Sequence, residues 1–367
     1  MKLAYGIHGY GRGHTTRALG IISKLSPECE ITIFAGGDAF DLVSASGYPV
    51  TRIPTMGYEF VGSSGKYSIR RTFHANVPRI IDIYGRGKTS RAMEQALLEH
   101  GIEMVISDSE PWLQRAANRL GIPLVSIDHY SVFAYCKLDL SPADMIKRFF
   151  TSLIYRSYMG RPDVIIASAF FPAMPGKNGV HCVGPVVRDE IKYAAPVNKG
   201  HLLVYFNKGR QFISGEVEEI LDRLGCEIRI YGKGDAPPRG NLVFKTIDPQ
   251  TFTGDLISCR AVISSAGNQL IGETIWLRKP VLVIPEESVD QHLNARGVEQ
   301  LGVGIQVPVS RLSTNLLRGF LAREQEFRDA CDRHRRDASD DIIALMKKEA
   351  ARMARPLTGD GRRDISR

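Results

Sequence analysis

Short apolar runs recur along this chain, separated by amphipathic stretches. "KLAYGI" (2–7), "EITIFAG" (30–36), "PVTRIP" (49–54), "MVISD" (104–108), "PLVSID" (123–128) and "DVIIAS" (163–168) read as strands, with helical periodicity between several of them, notably over 78–100 and 111–120. Short, almost continuously apolar strands alternating with helices predict a parallel sheet covered on both faces. The alternation lapses over "PVVRDEIKYAAPVNKG" (185–200). It restarts with "HLLVYFN" (201–207), a helix near 211–224, then "EIRIYG" (227–232), "LVFKTI" (242–247), "AVISS" (261–265) and "PVLVIP" (280–285). The expected fold is α/β, with two Rossmann-like domains facing a central cleft. Residues 1–185 make the first domain, 186–200 a linker, 201–335 the second domain, and 336–367 a C-terminal helix and loose tail.

Composition supports two cores. A chain of 367 residues exceeds the size at which one core keeps growing. Its 43% hydrophobic and 24% charged residues are those of an ordinary globular protein. The net charge of +8 permits an anionic partner. Basic residues are scattered, however, apart from "RDACDRHRRD" (328–337), and no stripe of Lys and Arg interleaved with aromatics argues for nucleic acid. Six cysteines lie far apart without a C-x-x-C, the pattern of reduced, packed thiols in a cytosolic protein. "MKLAYGIHGYG" reads as a first strand rather than a signal peptide, and no run approaches the roughly 20 apolar residues that cross a bilayer. A cytoplasmic location is expected.

Two glycine-bearing turns carry the candidate chemistry. In "GIHGYGRGHTTRALG" (6–20), Gly9, Gly11 and Gly13 follow the first strand and precede a helix, where a dinucleotide fingerprint would sit. The third glycine comes one position early, and Phe34-Ala35-Gly36 stands where a ribose-binding acid belongs, which argues against a nicotinamide or flavin oxidoreductase. A tight turn explains most of the glycines. His14 falls at the sheet's C-terminal rim and at a helix start, with Thr15 or Thr16 as the expected cap. A helix N-terminus favours the neutral imidazole, the form that accepts a proton.

The second turn is "SSAGNQ" (264–269), after the strand "AVISS". Its free N–H groups, with a helix dipole behind them, suit a diphosphate. Glu273 lies five residues beyond Asn268, hence about 7 Å further along the axis, near the ribose of a nucleotide held there. Gln269 shares that face one turn earlier. Asp290 and Gln291, at the next helix start, suit sugar hydroxyls; taken alone, capping by Asp290 with Gln291 and Asn294 solvated is the simpler account.

Segment 263–305 resembles the donor-site motif of GT-B glycosyltransferases, above all the MurG-like and UDP-glycosyltransferase branches. The matching positions are Gly267, Glu273, Pro280, Pro285 and Asp290-Gln291, with one extra residue before the last pair. "GYGRGHTTRAL" resembles that family's glycine-rich loop, and "VISDSEPWLQRAANRLGIPLVSID" (105–128) its acceptor-domain strands. "LLVYFNKG" and "EIRIYGKG" resemble the opening strands of its nucleotide domain. Ser265 stands where many UDP-glycosyltransferases place a phosphate-contacting His, and Asn268-Gln269 replaces the usual Thr or Ser.

The resemblance implies transfer of a sugar from a nucleotide diphosphosugar, UDP by default, to an acceptor hydroxyl. Neither a cofactor nor a metal is implied. His14 would be the general base and Asp108 would orient it or the acceptor. Asn207, Ser265, Gly267, Asn268, Gln269, Glu273, Asp290 and Gln291 would bind the donor. Gly11, Gly13, Arg70, Arg71, Asp128 and His129 would line the acceptor side. The acceptor is a glycan, a lipid-linked molecule or a small molecule. Two other activities fit the same scaffold: a UDP-sugar 2-epimerase and a non-catalytic nucleotide-sugar-binding protein.

Two further stretches bear on the acceptor. Residues 55–76 read as a long polar loop whose Lys66, Arg70, Arg71 and His74 suit a phosphate. "ADMIKRFFTSLIYRSYMGRPD" (143–163) reads as a helix packing Ile146, Phe149, Phe150, Leu153 and Ile154 into a core. The alternative for it is basic-rimmed attachment to an anionic membrane surface, peripheral on the inner face.

Overall fold

The computed structural model describes residues 1–57, 59, 68–140, 142–206 and 209–353. Its first sheet is built from β1 (Lys2–Ile7), β2 (Glu30–Ala35), β3 (Val50–Arg52), β4 (Met104–Asp108) and β5 (Leu124–Asp128). After a short β6 (Cys136–Lys137), it continues with β7 (Val164–Ser168) and, beyond β8 (Met174–Pro175), β9 (Val180–Val183). The order is β3-β2-β1-β4-β5-β7-β9, all parallel, with β6 and β8 forming a separate antiparallel pair. The second sheet holds β10 (Leu202–Tyr205), β11 (Ile228–Tyr231), β12 (Leu242–Lys245), β13 (Ala261–Ser264), β14 (Val281–Val283) and β15 (Gly304–Gln306), ordered β12-β11-β10-β13-β14-β15. The two parallel sheets are those the sequence predicts. Strands β4, β5, β7, β13 and β14 are buried along their whole length, as a sheet covered on both faces requires.

Each sheet has one place where the strand order reverses, and ligands of open α/β sheets bind at such points. In the first sheet it lies between β1 and β4, where Ile7 stands beside Asp108. In the second it lies between β10 and β13, where Tyr205 stands beside Ser264. The turns that leave these strands carry both glycine-bearing motifs. An apolar cluster joins the two halves, with Phe170 and Phe171 from the first packed among Ile271, Ile275 and Leu293 of the second. The chain then returns: in the helix Ser339–Met353, Ile342 and Met346 pack into the core of the first sheet.

Several elements differ from expectation. The helix after β1 starts at Arg12 with Gly11 as its cap, so Thr15 and Thr16 lie inside it. Gly11 has φ +81°, a conformation side chains resist, and a Cβ on Gly9 would sit 2.1 Å from the Gly36 carbonyl oxygen. The 55–76 stretch is not loop throughout, because a helix, Ile69–Gly85, begins after the cap Ser68. Lys66 lies outside the described residues.

The largest difference concerns the helix Pro142–Tyr158. Its apolar face does not enter a core: Met145, Ile146, Phe149, Phe150, Leu153 and Ile154 are each 55–63% exposed. What packs inward is the other face, through Tyr155 and the stem of Arg148, whose guanidinium donates to the carbonyls of Phe133 and Cys136. Periodicity shows that a helix has an apolar stripe and says nothing of which stripe finds a partner.

Candidate active site

His14 and Asp108 come from different strand ends and meet because β1 and β4 are neighbours. His14 Nδ1 lies 2.6 Å from Asp108 Oδ1. A carboxylate accepts, so Nδ1 carries the hydrogen and Nε2 is left as the ring atom able to take a proton. Asp108 is fully buried and would be raised by that burial, but the charges of Arg17 and His14 and their hydrogen bonds hold it below its ordinary value. Arg17 is absent from the sequence reading. It donates from Nε to Asp108 Oδ2 at 2.8 Å and from Nη2 to Oδ1 at 2.7 Å, with only 2% of its surface exposed. One turn of helix after His14, an arginine on the same face was the signal available. The ring of Tyr130 lies parallel to His14 with centroids 6.4 Å apart.

His14 lines a cavity of about 600 Å³, within the range of small-ligand sites. Gly11 and Gly13 line it from the same side, as does His129. From the opposite side come Ser265, Gly267, Asn268, Gln269 and Glu273, and from the following helix Asp290 and Gln291. The cavity therefore brings together most of the expected donor residues and the expected base. Two buried polar atoms on its wall, Thr15 Oγ1 and Gln269 Oε1, have no hydrogen-bond partner. Buried polar atoms are nearly always satisfied, so a polar ligand is their natural complement.

The individual roles differ more than the grouping. Gly267 caps the helix Asn268–Trp276, whose first N–H groups face no capping side chain. Asn268 spends its side chain elsewhere: Oδ1 accepts from Phe170 N at 3.1 Å and Nδ2 reaches Ser168 O at 3.4 Å. Gln269 donates to the Val186 carbonyl at 2.6 Å and lies 3.3 Å from Glu273 Oε1. Glu273 is buried and held by Arg188, Nε to Oε1 at 2.8 Å and Nη2 to Oε2 at 2.9 Å. Arg188 was placed in the linker by the sequence, without a partner. Gln291 Oε1 accepts from Ala266 N at 2.6 Å, and Asn294, far from solvated, is 1% exposed. Asn207 lies outside the described residues.

On the acceptor side, Asp128 is fully buried, accepts from Ser126 Oγ at 3.1 Å and Tyr155 Oη at 2.7 Å, and does not reach the cavity. Arg70 and Arg71 line a separate surface depression with His74, so the structure does not bring them to His14. Among the described residues, no three His, Cys, Asp or Glu side chains converge as metal ligands do. No described helix is long and apolar enough to cross a membrane.

Comparison with known proteins bears on family and fold. The family model "Glycosyl transferase family 1" matches residues 1–324. A curated relative from Bacillus cereus, UDP-N-acetylglucosamine--N-acetylmuramyl-(pentapeptide) pyrophosphoryl-undecaprenol N-acetylglucosamine transferase 3, is 31% identical over 156 residues, 36% of this chain. The chain spans only 44% of that relative's length. Among solved structures, MurG of Acinetobacter baumannii superposes with a TM-score of 0.57 at 15% identity, covering 95% of this chain and 99% of that one. The calicheamicin glycosyltransferase CalG4 gives 0.64 at 17% identity over 96% and 99%, and SnogD of Streptomyces nogalater 0.60 at 16% over 94% and 100%. At such identities these likenesses establish the shared fold.

Proposed function

The chain belongs to glycosyl transferase family 1 and is a glycosyltransferase with the GT-B fold, and from that premise we propose that it moves a sugar from a UDP-sugar to an acceptor hydroxyl without a metal. The observation that carries this reading is the pairing of His14 with Asp108 on one wall of a cavity whose other wall is the start of the helix Asn268–Trp276. The diphosphate rests on that helix start, where N–H groups and dipole stabilise the charge that develops as the sugar–phosphate bond breaks. His14 Nε2 takes the acceptor hydroxyl's proton as the new glycosidic bond forms, and Asp108 stabilises the resulting imidazolium.

Glu273 binds the ribose hydroxyls while paired with Arg188. Each carboxylate oxygen offers about two acceptor sites; the guanidinium occupies one on each and Gln269 Nε2 a second on Oε1, which leaves Oε2 for the ribose. UDP is favoured by the name of the Bacillus cereus relative. Asp290 and Gln291 lie on the cavity wall where the sugar would sit.

The acceptor is lipid-linked and the protein works on an anionic membrane surface. The exposed apolar face of Pro142–Tyr158 supports this, because Lys137, Lys147, Arg156, Arg161 and Lys177 around it are all exposed. Each apolar side chain removed from water is worth about 1.5–3 kcal/mol, so two or three inserted residues with basic neighbours suffice for reversible docking. The helix is tied to the cleft. Tyr155 stacks on Tyr130 at 5.9 Å, and Arg296 Nη2, from the helix Val289–Leu301, pairs with Asp144 at 2.8 Å.

A thermal-shift panel of UDP, dTDP, GDP and NAD(P) tests the donor. UDP at 100 times its Kd should add about 2.7 kcal/mol of stability, and no shift with any nucleotide would remove the donor reading. Incubation with UDP-sugar alone separates the epimerase: an epimer formed without acceptor would replace glycosyl transfer.

A further inference from the structure

The turn Ser265–Asn268 is held from beneath by polar side chains from both halves of the chain. Asn294 Nδ2 donates to the Ala266 carbonyl at 2.8 Å. That bond orients the amide, since flipping it would set two oxygens against each other. Asn294 Oδ1 therefore faces His129 Nε2, 2.9 Å away and contributed by the first half of the chain. The other ring nitrogen, Nδ1, lies 2.9 Å from the carbonyl oxygen of Ser168. Asn268 completes the arrangement through its contacts with Phe170 N and Ser168 O. The backbone of Ala266 is thus held on both sides, its carbonyl by Asn294 and its N–H by Gln291.

From this arrangement we propose that His129 and Asn294 are positioning residues forming an interdomain clasp, which fixes the donor turn through the Ala266 carbonyl. The sequence suggested that His129 meets the acceptor. Its ring nitrogens instead face Ser168 O and Asn294 Oδ1, and with His129 7% and Asn294 1% exposed, little of either remains for a ligand. Burial holds the His129 ring below its ordinary value, so a neutral ring donates to Asn294 Oδ1 or to Ser168 O but not to both, and the Asn294 bond is the one that reaches the donor turn. The geometry held here is that of Gly267 and Asn268, which start the helix and line the cavity. Preorganised donors stabilise developing charge only if nothing must move to aim them. The clasp also makes the donor turn depend on the position of the first half, because His129 and Ser168 belong to it.

The test compares the full chain with His129→Phe, Asn294→Leu and the pair combined. Amide hydrogen exchange needs no ligand. Exchange at Ala266, Gly267 and Ile271, whose N–H groups donate to Gln291 Oε1, Ser265 O and Gly267 O, should speed up at least about fivefold in each single variant, with the two sheets unaffected. His129→Gln, which keeps a donor toward Asn294, should restore slow exchange. Unchanged exchange at the turn, or acceleration spread evenly over the protein, would overturn the clasp.

A second measurement rests on the donor reading above. UDP affinity should fall about five- to tenfold in either single variant and no further in the double, as expected for residues acting through one contact. Unchanged UDP affinity with a raised acceptor KM would return His129 to acceptor binding. If the unaltered protein binds no UDP, the donor reading fails while exchange still decides the clasp. Should His129→Phe not fold, Asn294→Leu carries both measurements.

Discussion

Arg17 grips Asp108 with two nitrogens, and one of the oxygens it holds, Oδ1, is the oxygen that faces His14 Nδ1 at 2.6 Å. The arginine therefore sets the plane of the carboxylate, and the carboxylate sets the ring. His14→Ala should lower kcat by about 10²–10⁴-fold, the usual worth of a general base, and leave UDP affinity intact. Arg17→Lys keeps the charge and loses the planar fork, so a milder loss, about tenfold in kcat, is expected. Because Arg17 helps hold the Asp108 carboxyl low, Arg17→Met should move the acid limb of the pH–rate profile upward. A profile identical to that of the unaltered enzyme would show that Arg17 serves packing alone.

Glu273 and Arg188 form a second bidentate pair, in which Glu273 is 2% exposed. Removing one partner of a buried pair costs about 3–5 kcal/mol, since the other charge is left without compensation. Arg188→Met should therefore destabilise the protein more than Glu273→Gln, which leaves no buried charge unpaired on the carboxylate side. If Glu273 also holds the ribose, Glu273→Gln raises the donor KM with little change in kcat. Calorimetric titration with UDP reads that difference directly, and equal affinities would limit Glu273 to structure.

Glu110 caps the helix Pro111–Leu120, accepting from Trp112 N at 3.1 Å and Leu113 N at 2.7 Å. Burial nevertheless pushes its carboxyl up to about 7, overcoming the two backbone hydrogen bonds. A carboxyl raised on folding stabilises while protonated. Its contribution is complete below the unfolded value of about 4.3 and is lost as pH rises through about 7, on the order of 3 kcal/mol in all. The Tm of the unaltered protein should fall between pH 5 and 8 relative to that of Glu110→Gln. Parallel curves would mean that the group ionises freely in the folded protein.

Phe149 and Phe150 sit at the centre of the exposed face of Pro142–Tyr158. Replacing both with Asp should abolish co-sedimentation with vesicles containing anionic phosphatidylglycerol while leaving UDP binding and Tm close to normal. Neutral vesicles should bind more weakly, and rising salt should weaken only the anionic case, as screening of the basic rim requires. Undiminished sedimentation of the double variant would remove this face as the docking surface.

The sequence by itself determined the two parallel sheets, the glycine-bearing turns between strand and helix, and the closeness of His14 to a helix start, while the strand order that sets those turns at reversal points came from the tertiary structure. Strand periodicity and turn residues are local properties, and the sheet edge on which the turns emerge follows from chain direction. What the tertiary structure decided is where each polar atom is spent. Asn268, Gln291 and Asn294 read identically along the chain whether they meet a ligand, a carbonyl or water, and all three meet backbone. Arg17 and Arg188 were invisible as partners because Asp108 and Glu273 lie 91 and 85 residues away. Strands β9 and β15 escaped notice because each is only partly apolar and partly buried, whereas the equally short but continuously apolar β13 and β14 were legible. The apolar face of Pro142–Tyr158 was legible as a stripe. Only packing could show that the opposite face had already taken the inward position, because a helix buries whichever side its anchoring bonds turn toward the core.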